Sequence, residues 1–307
     1  MENNIKKLQD RWSPTPLWMS EDVPRRPMVR PWAFVIVALV ALVTLATFLP
    51  FENLIVRLFG PPRVELSEAY ADNAAGPSFD HAAFDSLLGR YVDAEGWVDY
   101  IGLKANVAEL DAYLESIAAA PLDEMGRDEK LALLINAYNA STLKLILDHY
   151  PIRSIQQIAE ETRWDAVRWN IGGNVWSLNQ IEHEQIRPKF IEPRVHFALV
   201  CAASSCPPLR NEAFTAARLE RQLHEQSQYV HDHATWFRFD RETSTASLTK
   251  LYSWYGGDFT QVAGSPLEFA SRYAPSLEQT LAAGVTPQIE WLPYEWELNS
   301  LSNKRPR

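Results

Sequence analysis

From Pro31 to Phe51 the chain reads PWAFVIVALVALVTLATFLPF, 21 residues without a charge, with Arg30 before them and Glu52 after. A helix of about 20 such residues, rising about 1.5 Å each, crosses the roughly 30 Å hydrocarbon layer of a bilayer. A core helix of this length would show a polar face, and this stretch has none. A cleaved leader is the nearer rival, but its apolar part spans only about 7 to 15 residues and ends in a small-x-small site. Here a long leader precedes the apolar run, and Thr47-Phe48-Leu49-Pro50 is a poor cleavage site. The span therefore reads as an uncleaved transmembrane helix. Lys6, Lys7, Arg11, Arg25, Arg26 and Arg30 precede it, against Arg57 and Arg63 just after it, which makes residues 1–30 a cytoplasmic tail. If the source is bacterial, this is a single-pass protein of the cytoplasmic (inner) membrane. Its C-terminal body then stands in the periplasm or outside the cell, where disulfides are permitted.

Residues 52–78 hold the rest of an interfacial stretch that starts at Phe51 (FENLIVRLF, 51–59) and stops at Gly60-Pro61-Pro62, and then a tether of small and polar residues. A globular domain follows over 79–300, and 301–307 is a tail. The body has no basic cluster, and 39 Asp and Glu outnumber 29 Lys and Arg in the chain, which argues against nucleic acid as a partner. An aromatic content of 11% is too high for a disordered chain, so the body is folded.

Apolar spacing predicts helices over 79–92 and 103–118, with a short extended connection between them. The most apolar part of the body, EKLALLINAYNASTLKLILDHY at 129–150, predicts a long helix. Lys130, Ser141, Lys144 and Asp148 share one stripe, its expected wet side, whereas Asn136 and Asn139 fall on the buried face. Buried amides need partners, so these two either pin a neighbouring segment or line a site. Gly172-Gly173 between two short Trp-containing runs predicts a β-hairpin over 167–178. Ser177 and Gln180 form a capping box for a helix over 178–187 that Pro188 ends. RVHFALVC at 194–201 reads as a central strand, 211–230 as a long amphipathic helix, 236–240 with 246–251 as a second hairpin, and 289–298 as a closing extended segment. The fold class expected is α+β, one domain with a central antiparallel sheet and packed helices.

Polar residues suited to chemistry gather in the middle of the body. His196, Cys201 and Cys206 are the catalytic candidates, and Asn136, Asn139, His183 and Ser205 the ligand-binding ones. Strand alternation would put His196 and Cys201 on opposite faces, which weakens a simple thiol–imidazole pair. The plainer reading of His196 is a core histidine held by two hydrogen bonds. In an oxidising compartment Cys201-x4-Cys206 is expected to close a short disulfide loop, with free thiols, a nucleophile or metal ligands as the alternatives. Glu182, His183, Glu184 and His196 lack zinc-ligand spacing, so no metal and no cofactor is expected. His224, His231 and His233 read as a solvated face.

The motifs LINAYNASTLKLIL, SLNQIEHEQIR, PRVHFALVCAASSCPPLR, LYSWYGGDF and LPYEWELN, with GWVDYIGLKA as an opening, resemble the family called domain of unknown function 547. The resemblance covers about residues 79–300. It implies a domain found in bacteria, often behind a signal or anchor, and in plants, without a settled activity. The order of a buried polar helix followed by His196 on a strand is also similar to papain-like and transglutaminase-like enzymes. Those place a nucleophilic cysteine at the start of such a helix, where this chain offers asparagine. Three functions remain open on sequence alone. One is a domain that binds a small molecule or peptide in a cleft bounded by Asn136, Asn139, His183 and His196. The second is a cysteine-dependent peptidase, amidase or acyl-transfer enzyme. The third is a structural partner in an envelope complex, with Trp254 and Tyr255 in an exposed aromatic patch.

Overall fold

The computed structural model describes residues 61–73 and 75–306. The expected transmembrane helix at 31–51, the tail before it and the stretch up to residue 60 lie outside the described residues. Among those described, no helix is long and apolar enough to cross a membrane.

Helices α1 (Ala82–Tyr91), α2 (Tyr100–Ala105) and α3 (Val107–Ala118) precede the long α4 (Arg127–His149). Almost every α4 residue from Lys130 to Leu147 is buried, as expected of a helix that is apolar around most of its circumference. The expected wet stripe is only half wet. Lys144 and Asp148 lie near the surface in an ion-pair group with Asp111, but Lys130 and Ser141 are buried. Lys130 is desolvated usefully, donating to the carbonyls of Leu122 and Asp123.

After the short α5 (Glu160–Arg163), β1 (Trp169–Ile171) and β2 (Asn174–Trp176) form the expected hairpin. Gly172 and Gly173 hold φ +58° and +80°, the left-handed pair that a two-residue turn requires. The capping box of Ser177 and Gln180 opens α6 (Leu178–Gln180), which continues as a π-helical stretch over Ile181–Ile186. The amphipathic helix α7 (Leu219–Asp232) starts later than its sequence pattern suggests, because Asn136 clamps the backbone of Phe214 in an irregular segment ahead of it. The second hairpin, β3 (Phe237–Asp240) and β4 (Thr245–Leu248), is antiparallel. Helices α8 (Lys250–Trp254), α9 (Gly256–Ala263), α10 (Pro266–Ser271) and α11 (Pro275–Ala282) follow. Then β5 (Gln288–Trp291) returns to pair with β4 in parallel.

The α+β class holds, but the central antiparallel sheet does not. The described residues contain one two-stranded hairpin and one small mixed sheet in the order β3-β4-β5. The decisive difference is at 194–201. Pro193–Phe197 forms 3-10 turns, and no strand follows them. This segment runs between two cores. Val195, Ala198, Leu199 and Val200 belong to the core around α4, and Phe197 to a second core with Trp236, Tyr252, Phe259 and Phe269. Burial on both sides gives it the composition of a central strand. Its backbone groups, however, bond to side chains. Asn139 donates to Ala198 O and accepts from Val200 N, and Gln226 donates to Phe197 O. The opposite-face argument for His196 and Cys201 therefore lapses.

The expected tether is laid against the body. Gln261 holds it in both directions, donating to Val64 O and accepting from Leu66 N. Glu68 pairs with Arg127 through two hydrogen bonds, Ala69 N donates to Lys189 O, and the Tyr70 ring meets Phe190. The described part of the tail, 301–306, also docks through Lys304, which bonds Asp93 and pairs with Glu95.

Candidate functional site

Residues 201–206 form an irregular loop braced by the C-terminal segment. Ser204 N and Ser205 N donate to Glu297 O and Glu295 O, Asn299 N donates to Ala202 O, and Ser205 Oγ accepts from Glu295 N. From the other side the Trp236 indole N–H reaches Ser205 O. The loop carries one strained position. Ala202 has φ +59°, a region that residues with a Cβ hold at a cost of roughly 1–3 kcal/mol when the surroundings enforce it. Such positions concentrate at working sites, and this one directly follows Cys201.

Both cysteines are free thiols. Cys201 is part-exposed and Cys206 buried. Cys206 Sγ accepts from Cys201 N at 3.1 Å, and Tyr294 Oη lies 3.0 Å from Cys201 Sγ. The hydrogen bond from the Cys206 thiol is the largest influence on Cys201. Together with those of Tyr294 and Ala203 N–H it outweighs burial, so Cys201 ionises below the ordinary thiol range. Burial drives Cys206 well above that range, and its hydrogen bond with Cys201 and the Cys201 charge push the same way. One thiol is thus shifted toward its thiolate while its neighbour keeps its proton. Tyr294 packs with Trp254 and Trp296, ring centroids 4.8 Å from each, and all three rings are half-buried. Cys201 sits against an aromatic rim.

A second cluster lies behind Tyr255. Arg187 and Asp258 form a two-point ion pair at 2.7 and 2.9 Å, each side chain only 2% exposed. His196 Nε2 is 2.9 Å from the same carboxylate. Burial tends to raise Asp258, but the bonds from His196 and Arg187 outweigh it and hold the carboxyl at about 2. Burial lowers His196, so it is neutral, with its proton on Nε2 facing Asp258 and a bare Nδ1. That Nδ1 is buried and has no hydrogen-bond partner. Tyr255 stacks on the imidazole at 3.7 Å and its hydroxyl bonds buried Glu182. Arg187 also donates to His183 Nδ1 at 3.1 Å and to Pro62 O at 3.1 Å, tying the laid-down tether to this cluster.

Residues 122–229 match the model of a family described as a protein of unknown function, DUF547. This stretch is a DUF547 domain. It contains the buried helix α4, the π-helical stretch, His196 and both cysteines. The motifs at 251–259 and 292–299 fall beyond the matched residues, although Asp258 and Tyr294 complete the two clusters. No curated protein and no solved structure matches the chain.

Within the DUF547 stretch the sequence-expected residues separate into three places. His183 and His196 come together through Arg187 and Asp258. Cys201 and Cys206 form their own pair, and neither bonds the free nitrogen of His196, so the thiol–imidazole pair is not assembled. Asn136 and Asn139 line no open cleft. Each is spent on a two-bond backbone clamp, and Asn139 borders a small cavity of about 10 Å³, room for about one water. Ser205 lies on a different opening, a cleft of about 250 Å³ walled by Trp97, Ser204, Thr235, Arg238, Leu292 and Arg305. His231, expected in a solvated face, is buried between Ser227 O and the Tyr252 hydroxyl. Among the described residues no group of three or more His, Cys, Asp or Glu is placed to hold a metal ion. Sequence reasoning missed Arg187, Asp258 and Tyr294 as site members. Asp258 and Tyr294 stood inside quoted motifs, but nothing in their local pattern showed which distant group each would meet.

Proposed function

We propose that the body is a thiol-dependent enzyme domain that takes a peptide or small molecule against the rim of Trp254, Tyr294 and Trp296, with Cys201 as its nucleophile. The observation that carries this reading is the surrounding of Cys201: a part-exposed residue beside a strained one, its sulfur bonded by Tyr294 and Cys206. Acyl transfer of the papain type has less support, because it needs a base on the thiol and His196 Nδ1 is buried under Tyr255 without a bond to it. We further propose that residues 31–51 anchor the domain in the inner membrane with the body outside the cytoplasm. Resistance of the full chain to alkaline extraction, with the body open to protease added from outside, is the expected result.

The chemical claim is tested by timed alkylation of the reduced protein with iodoacetamide at mildly acidic pH, with the modified residue identified by mass spectrometry. Cys201 should react at least about tenfold faster than Cys206. Equal rates, or no reaction at Cys201 in folded protein, would sink the proposal.

One observation favours a second reading, ligand binding in the 250 Å³ cleft. Arg238 in its wall makes no ion pair among the described residues, whereas Arg305 opposite is already matched by Glu295 and Glu297. A ligand with a carboxylate or phosphate would fit there. Acid-ligand screening by thermal shift, repeated on Arg238→Ala, separates this reading from thiol chemistry.

A further inference from the structure

We infer that Cys201 and Cys206 are a working dithiol, Cys201 attacking and Cys206 resolving, and that the substrate is a peptide disulfide offered at the aromatic rim. This rests on the reading of Cys201 as a nucleophile and adds the reaction class. The geometry supplies what thiol–disulfide exchange needs and omits what acyl transfer needs. The two thiols meet: Cys206 Sγ takes the hydrogen bond of Cys201's own amide, and the side chains hydrogen-bond each other. They differ in access, Cys201 being part-exposed and Cys206 2% exposed, so an incoming disulfide meets Cys201 alone. Among the described residues no general base touches Cys201, and exchange requires none once the thiolate is present.

In the first step the Cys201 thiolate attacks one sulfur of the substrate. A Cys201–substrate disulfide forms, the substrate S–S bond breaks, and the departing thiolate takes up the proton that Cys201 released. The second step follows from the electrostatics of the pair. Cys206 is held protonated by burial and by the hydrogen bond and charge of the Cys201 sulfur. Conversion of Cys201 to a mixed disulfide removes that charge, so two of the three influences weaken when Cys206 must ionise. The Cys206 thiolate then attacks the Cys201 sulfur, closes the Cys201–Cys206 bond and expels the second substrate thiolate, which takes the Cys206 proton. Two electrons pass from the dithiol to the substrate, and a small thiol reductant reverses the sequence to restore the protein. Strain at Ala202 fits a loop that must serve two sulfur arrangements.

The test uses the full reduced chain with oxidised glutathione, acid quenching, alkylation and mass spectrometry of the 201–206 peptide. Wild type should pass through a Cys201–glutathione adduct to an internal disulfide that reduced glutathione reopens. Cys206→Ser should stop at the adduct. Cys201→Ser should react at least about 100-fold more slowly, since only the buried, protonated thiol remains. Tyr294→Phe should slow adduct formation by about tenfold while leaving the resolving step in place. If wild type instead accumulates the same lasting adduct as Cys206→Ser, or forms an internal bond that glutathione cannot reopen, the dithiol inference fails while Cys201 remains a nucleophile. If no adduct forms at Cys201 in any variant, both readings fall.

Discussion

At the scale of single residues, this domain uses side-chain amides where other folds use strand pairing. Asn139 satisfies Ala198 O at 3.0 Å and Val200 N at 2.9 Å in a segment that has no ladder partner. Asn139→Ala would orphan two buried backbone groups at roughly 1–3 kcal/mol each, so a loss of about 3 kcal/mol is expected in urea unfolding. Asn139→Asp keeps the acceptor for Val200 but turns a carboxylate oxygen toward a carbonyl, and should destabilise at least as much. A variant as stable as wild type would show that the clamp is dispensable. Because the clamp ends one residue before Cys201, either change should also speed alkylation of buried Cys206. That the two asparagines must be bonded was legible from their place on an apolar helix face. What they hold was not, since hydrophobic period says nothing about partners 59 and 78 residues away.

At the scale of elements, legibility tracked whether the signal was local. Gly172-Gly173 and the Ser177–Gln180 box each act within a few residues, and both hairpins and the cap stand as read. The 194–201 segment was misread because a short apolar run buried on two sides looks alike as strand or as 3-10 turns. The tether shows a related limit: its polar groups suggest solvent, but several of them are matched by the body. Gln261 grips the backbone at Val64 and Leu66, and Glu68 pairs with Arg127 at about a quarter exposure. Surface pairs of this kind contribute about 1 kcal/mol. Glu68→Ala combined with Gln261→Ala should therefore free residues 61–70 for limited proteolysis while the body keeps its far-UV spectrum. Unchanged protease resistance would mean that the Tyr70–Phe190 contact and the backbone bonds suffice to hold the strap.

At the scale of the whole molecule, each of the two cores contains a histidine kept neutral by burial. His81 bonds the Tyr113 hydroxyl beside α1 in the first, and His231 lies against Phe197, Phe237 and Tyr252 in the second. Burial lowers each to about 4, against about 6.5 in an unfolded chain. Between those values the unfolded state binds more protons than the folded one. The stabilisation is therefore present in full above about pH 6.5 and is lost as pH falls toward 4. Each histidine should withdraw about 2 kcal/mol between pH 7 and pH 5, and the two together about 4. Asp258, held at about 2, acts in the same direction but only below the ordinary carboxylate value near pH 4. The midpoint of urea unfolding should thus drop steeply through pH 6 to 5, before any carboxylate is involved. His81→Gln with His231→Gln should lower the midpoint at pH 7 yet flatten this slope by nearly two protons. A slope that survives the double substitution would place the acid sensitivity on His183 and His196, the other pair lowered by desolvation, and so at the Arg187–Asp258 cluster.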